Sequence, residues 1–335
     1  MLATVARFSI VASILLPLAA GAEPIKLKLA FFTSDRALIY RSTVKPFADA
    51  VNLEANGAVE IEAYANGVLN RDLVAQTQII LSGEADIAWV FPSLTPDQFP
   101  DNRVFELPGL FSDLREATQV YTRVMTSNTF KEYNDFVVIG AVCSEPFSIH
   151  TRLPVASLDD LRGKRIRTSN ETQSAVLKEF GAVPELMPVN QTNDAINSGA
   201  IDGAAAVLQT LIDFGIARLT YHHYFADLGV APLMLLMNRK KFDSLPEAGQ
   251  NAIRKYGGEW LATRYIDGYE SYSRFILERL QADPKRTVTF PSPTDLERLR
   301  RVYDGVIEDW TGGQPHNRQL LTLVEAERAK IRATR

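Results

Sequence analysis

Arg167 is the residue whose type and placement most directly suggest chemistry. It lies in the run Lys164-Arg-Ile-Arg167-Thr-Ser-Asn170. Lys164 to Thr168 reads as a strand and Glu171 to Phe180 as a helix, with Thr168, Ser169 and Asn170 as N-cap residues. An arginine there sits at the carboxyl end of a strand beside a helix N-terminus, where open α/β sheets bind ligands. The helix end favours anions, and a guanidinium fork grips a carboxylate through two parallel hydrogen bonds. The predicted chemistry is the binding of a small carboxylate. The competing reading is an ordinary solvated arginine, because Arg162, Lys164 and Arg165 crowd around it.

Nothing in the sequence asks for catalysis. G-x-S-x-G, H-E-x-x-H, Walker A, G-x-G-x-x-G and C-x-x-C are absent. His222 and His223 are adjacent, so they point apart and make a poor metal pair; they read as half-buried surface residues. No metal and no cofactor is expected. The single cysteine, Cys143, ends the apolar run Phe136-Val-Val-Ile-Gly-Ala-Val-Cys143 and reads as a buried, inert thiol. With no disulfide available, stability must come from the core.

The elements that position Arg167 alternate. Ile25 to Phe32, Val59 to Tyr64 and Asp86 to Phe91 read as strands, separated by helices over Leu38 to Asn56 and Arg71 to Leu81. This βαβαβ start predicts a largely parallel sheet. Further strands are read near Phe136–Val142, Lys164–Thr168, Leu186–Val189 and Asp202–Val207. Ser82-Gly-Glu-Ala-Asp86-Ile-Ala88 is echoed by Ser198-Gly-Ala-Ile-Asp202-Gly-Ala204, which suggests two α/β lobes built alike. Asp86 and Asp202 read as turn-capping residues at strand starts. From Glu247 to Leu280 an aromatic stripe recurs at helical spacing. A helix of that length would be about 50 Å long, enough to cross both lobes, with Gly257-Gly258 as a kink site.

The 335-residue chain is 46% hydrophobic with a net charge of −4, ample for two packed domains. Its mildly acidic balance argues against nucleic acid and anionic membrane as partners. Arg7, the apolar run Phe8–Leu18 and Ala20-Gly21-Ala22 have the pattern of a cleavable secretory signal over residues 1–22. The expected mature protein is a soluble, exported monomer. The expected division is residues 23–143 plus 229–260 in lobe I and 144–228 plus 275–335 in lobe II. A helix over 246–280 would join them.

Six motifs occur in order along the chain: Gly83-Glu-Ala-Asp86-Ile87, Glu106-Leu-Pro-Gly-Leu-Phe111, Leu158-x-x-Leu-x-Gly163-Lys-x-Ile-Arg167-Thr168, Gly181-Ala-x-Pro184, Met187-Pro188 and Ile201-Asp202-Gly203. Together they resemble the solute-binding proteins of tripartite ATP-independent periplasmic (TRAP) transporters, of the dicarboxylate-receptor type. The resemblance implies a two-lobe, type II-like periplasmic-binding-protein fold, with a ligand cleft between lobes. It implies that Arg167 pairs with the ligand carboxylate. It also implies delivery of the solute to a large and a small permease subunit in the membrane, driven by an ion gradient. An ATP-driven importer's receptor, a sensor's binding subunit and a periplasmic enzyme acting on a carboxylate are the alternatives.

The departures from the family pattern shape the expected ligand. Ser169 replaces a frequent proline. The run after Asp202-Gly203 lacks the family's ligand-contacting asparagine. Phe147 stands where sugar-acid binders carry a second arginine. A polar ligand would lose partners there, at roughly 1–3 kcal/mol each, so an aromatic, branched or oxo-monocarboxylate is expected. Topology adds Phe31, Phe32 and Thr33 at the end of the first strand and Trp89 and Phe91 on one face of the third, as pocket or core. Asn190, Asn193 and Gln209 are possible polar contacts, and Arg36 is a possible charge at the mouth. The lobes are expected to close by a hinge, with crossings near Ala141–Glu145 and Leu228–Ala231.

Overall fold

The computed structural model describes residues 23–127 and 129–334; the signal-like segment 1–22 lies outside them. Eleven strands are described: β1 (Ile25–Ala30), β2 (Val59–Tyr64), β3 (Ile87–Val90), β4 (Phe136–Cys143), β5 (Ser148–Thr151), β6 (Arg165–Thr168), β7 (Val183–Leu186), β8 (Gly203–Ala206), β9 (His222–Tyr224), β10 (Pro232–Asn238) and β11 (Thr287–Thr289). The helices are α1 (Lys45–Glu54), α2 (Gln76–Ser82), α3 (Leu114–Thr126), α4 (Glu171–Glu179), α5 (Thr192–Asn197), α6 (Leu208–Asp213), α7 (Arg239–Asp243), α8 (Glu247–Tyr256), α9 (Gly258–Ala282), α10 (Pro293–Thr311) and α11 (Pro315–Ala333).

The strands form two sheets, ordered β2-β1-β3-β10-β4 and β11-β9-β5-β8-β6-β7, one per lobe. The first is mixed rather than largely parallel. β1 runs parallel to β2 and β3, but β10 inserts antiparallel between β3 and β4. β10 is a buried apolar run, so it has no polar alternation to mark it as a strand in the sequence.

The repeated Ser-Gly-x-x-Asp segment does the same work in both lobes. Gly83 and Gly199 take positive φ after a helical turn, which a side chain would strain. Asp86 N–H then donates to the Lys28 carbonyl at 2.9 Å, while the Asp86 carboxylate accepts from Lys28 N–H at 2.8 Å. Asp202 and Arg165 repeat this exchange at 2.7 and 2.8 Å, and the Arg165 guanidinium adds an ion pair at 3.2 Å. In each lobe the carboxylate locks an incoming strand to its neighbour, and in the second lobe that neighbour, β6, carries Arg167.

Several elements differ from expectation. The helix predicted from Arg71 begins only at Gln76, because Asn70 and Asp72 side chains accept from Asp72 and Val74 N–H and hold turns. β7 lies three residues earlier than the predicted Leu186–Val189; as an edge strand it tolerates Pro184. The helix predicted over 246–280 is two helices, broken at Gly257–Gly258, where Gly258 has φ +51°. α9 alone is about 37 Å long. Its first half (Leu261, Tyr265, Tyr269) packs in the first lobe's core and its second half (Ile276, Leu280) in the second lobe's. The C-terminal residues do not all lie with the second lobe as expected. Leu320, Val324 and Ile331 of α11 pack with Phe105 and Tyr121 in the first, and Arg332 pairs with the fully buried Glu116.

The chain crosses between sheets at residues 144–147 and 225–231, and these two segments bond to one another. Ser144 N–H donates to the Ala231 carbonyl and Phe147 N–H to Gly229, both at 2.9 Å, and Leu228 N–H donates to Phe147 at 3.1 Å. Gly229 has φ +84°, and a Cβ there would lie 2.5 Å from the Glu106 carbonyl oxygen. Left-handed strain and overpacking together make Gly229→Ala cost about 2–4 kcal/mol. The expected result is a melting temperature lower by roughly 5 °C or more, measured by circular dichroism.

Candidate functional site

Residues from both sheets and both crossing segments enclose a cavity of about 110 Å³ between the lobes. That is the order of the ~150 Å³ apolar cavity known to hold benzene. Arg167 is in its wall. β6 carries it between β7 and β8, with Glu185 and Ala204 as register partners. β8 offers only glycine and alanine side chains, so the guanidinium reaches past them to the backbone: Nε donates to the Met187 carbonyl at 2.9 Å and Nη1 to Ala205 at 3.1 Å. Those bonds use two of the five guanidinium donors.

The charge itself has no partner. Arg167 is 3% exposed, and no carboxylate pairs with it among the described residues. Burial alone pushes its pKa down to about 10, which leaves it protonated at neutral pH. A desolvated cation without a counter-ion is costly, and a bound carboxylate supplies both the counter-charge and the missing acceptors. The adjoining helix end is already satisfied. The Asn170 side chain accepts from Gln173 N–H, and Ser169 donates to Gln173 Oε1, each at 2.9 Å.

The rest of the wall is largely apolar. Phe32 meets Phe91 edge-on at 5.2 Å. Trp89, Phe91, Phe147 and Gln209, all named from the sequence, line the same cavity, as does Thr33. Phe31, by strand alternation, turns away into the core. Asn190 does not join them. It is exposed, because β7 ends at Leu186 and residues 189–191 form a turn that brings Val189 to the wall instead. Asn193 also lies outside the wall, donating to the Phe214 carbonyl at 2.6 Å. Arg36 is exposed. Tyr265 and Tyr269, stacked at 4.1 Å, belong to the aromatic stripe that the sequence reading took as the helix's core-facing side rather than a ligand surface. Here that face also borders the cavity. The sequence reading missed Asp213, one turn after Gln209 on α6.

A family model described as bacterial extracellular solute-binding protein, family 7, matches residues 29–311. The chain belongs to this family. It is similar to the C4-dicarboxylate-binding periplasmic protein DctP of Rhodobacter capsulatus, 24% identical over 259 residues, 76% of this chain and 77% of that one. A marine metagenome TRAP solute-binding protein specific for aromatic acids, solved with metahydroxyphenylacetate, superposes with a TM-score of 0.84. It is 25% identical and covers 91% of this chain and 99% of its own. A TRAP solute-binding protein of Rhodoferax ferrireducens with copurified benzoate gives 0.82 at 25% identity, covering 91% and 98%. The fold is thus the two-lobe fold of TRAP receptors, which are solute-binding proteins rather than enzymes. Among the described residues no helix is long and apolar enough to cross a membrane, and no group of acidic, histidine or cysteine residues is placed to hold a metal ion.

In this family 7 member, β8, the neighbour of the strand that holds Arg167, is fixed by two histidines through Ala206. His223 is fully buried, not half-exposed as its sequence setting suggested, and pairs with His150 across β5 and β9. The Ala206 carbonyl can only accept, so His150 Nε2 carries a proton and donates to it at 3.1 Å. His150 Nδ1 then accepts from His223 Nδ1 at 2.9 Å, and His223 Nε2 accepts from Arg286 at 3.4 Å. Both rings are neutral. Burial, joined for His223 by neighbouring His150 and Arg286, lowers the pKa values to about 4 for His150 and about 2 for His223.

An unfolded histidine titrates near 6.5. Below that pH the unfolded chain binds protons that the folded chain refuses, so this contribution is complete above pH 6.5 and is lost toward pH 4. Glu106 and Asp227, whose pKa values burial raises to about 7 and about 6, act in the opposite sense. A variant comparison isolates the histidine part. Between pH 6.5 and 4.5 the stability of His150→Gln should fall less steeply than wild type, by on the order of 1 kcal/mol per pH unit, in urea melts. Parallel slopes would refute the neutral pair.

Proposed function

We propose that this chain is the periplasmic receptor of a TRAP transporter for a compact, largely apolar organic monocarboxylate, with a single aromatic ring as the best fit. Arg167 is the clamp that holds the carboxylate. The observation that carries this reading is the buried, unpaired guanidinium in an aromatic cavity. Size supports it, since about 110 Å³ suits one ring. Phe147 in the wall supports it too, since a polyhydroxylated acid would face unpaired hydroxyls there. The structural relatives that hold benzoate and metahydroxyphenylacetate agree in ligand class.

The 1–22 segment directs export and is removed. The two bonded crossing segments form the hinge over which the lobes close. The loaded receptor passes its solute to the large and small permease subunits.

The test is calorimetric binding of aromatic, branched, oxo-, dicarboxylic and sugar acids, with the matching amides as uncharged controls. An acid at 100 times its dissociation constant should stabilise the protein by about 2.7 kcal/mol, and the amides should not. Arg167→Ala removes one partner of a buried charge pair. The expected loss is about 2–5 kcal/mol, thirtyfold or more in affinity. Undiminished binding by Arg167→Ala, or tighter binding of a uronate than of any apolar acid, would overturn the reading.

A further inference from the structure

The cavity holds a second charge that the carboxylate clamp does not use. Asp213, the last residue of α6, is in its wall. Gln209, one turn earlier, donates from Nε2 to Asp213 Oδ2, which orients the carboxylate. The Leu38 N–H and the charge of Arg41, both from the first lobe, favour its ionised form. Burial opposes them and raises its pKa above the ordinary carboxylate range. No salt bridge holds Asp213 among the described residues. No hydrogen bond or ion pair joins Asp213 to Arg167 among the described residues, so the two groups border one cavity without contact.

We propose that Asp213 reads the far end of the solute, which is a monocarboxylate carrying one hydrogen-bond donor, a hydroxyl or an ammonium, opposite its carboxylate. This deepens the proposed function and rests on it. An ionised carboxylate only accepts hydrogen bonds. A ligand donor therefore satisfies it, whereas a bare hydrocarbon end strips its water and gives nothing back. A second ligand carboxylate would meet like charge, which disfavours dicarboxylates. Additional hydroxyls beside Phe32, Phe91 and Leu233 would find no partner there. Arg167 and Asp213 both border an aromatic-lined cavity, so its proposed complement is a short molecule with an anionic head and a donor tail.

The experiment compares benzoate and phenylacetate with their ring-hydroxylated and aminomethylated forms and with terephthalate. Dissociation constants are measured on wild type, Asp213→Ala, Asp213→Leu and Arg167→Ala. Wild type should bind the best donor-bearing acid at least tenfold more tightly than its unsubstituted parent, with terephthalate weaker than benzoate. In both Asp213 variants the ratio should fall below about threefold; should either variant not fold, the wild-type ratios alone decide. Equal binding of parents and donor-bearing acids by wild type would overturn the proposal. So would a uniform loss across all acids in the Asp213 variants, which would make Asp213 a contact that closes the lobes. Retained affinity in Arg167→Ala is a separate result, and it strikes the clamp rather than the donor preference.

Discussion

The structure depends on the cost of holding a guanidinium out of water. Arg167 cannot lose its proton at physiological pH, so the fold must surround a fixed cation. It does so with two main-chain carbonyls, from Met187 and Ala205, and leaves the remaining donors to the cavity. The neighbouring choices follow from that. β8 is reduced to glycine and alanine so that the long side chain can lie against it. Asp202 locks the base of β6, and the neutral His150–His223 pair holds Ala206 from the other side without adding a second cation.

The position of Arg167 was legible because its signals are local. A Gly163 turn, a short strand and an N-cap at Asn170 stand within eight residues, and each is a property of the backbone near it. The paired Asp86 and Asp202 segments were legible for the same reason. What the sequence hid is what distance decides. β10 pairs with β3 and β4 from far along the chain, and its apolar run carries no period. The β7 strand was placed three residues late, at Leu186–Val189, and includes Pro184, which an edge strand accepts; Asn190 was misplaced with it. Tyr265 and Tyr269 show a subtler limit. Periodicity identifies the apolar face of a helix, but it cannot tell whether that face meets side chains or a cavity.

The two lobes also meet away from the cavity. Arg103 pairs with Glu171 at 2.9 Å across them, and Glu106, fully buried nearby, senses both Ser93 and Asn170. The loop between β3 and α3 thus touches the same helix end, α4, that follows the Arg167 strand. A ligand bound at Arg167 and contacts at the rim act on one short stretch of chain. If the lobes close as proposed, local packing would couple occupancy to closure without any long-range pathway.

The bonded crossing segments have a mechanical consequence. Two extended segments tied together by main-chain hydrogen bonds form a ribbon. A ribbon resists shear, which would break bonds worth about 1 kcal/mol each, and it resists bending edgewise. It yields by flexing about its thin direction and by twisting, where small torsional changes spread over many residues. In the proposed closure, residues 144–147 and 225–231, bonded to one another, would restrict the lobes to a narrow family of paths, one coupled bend and twist. α9, packed into both cores, would act as a strut limiting the amplitude of that motion.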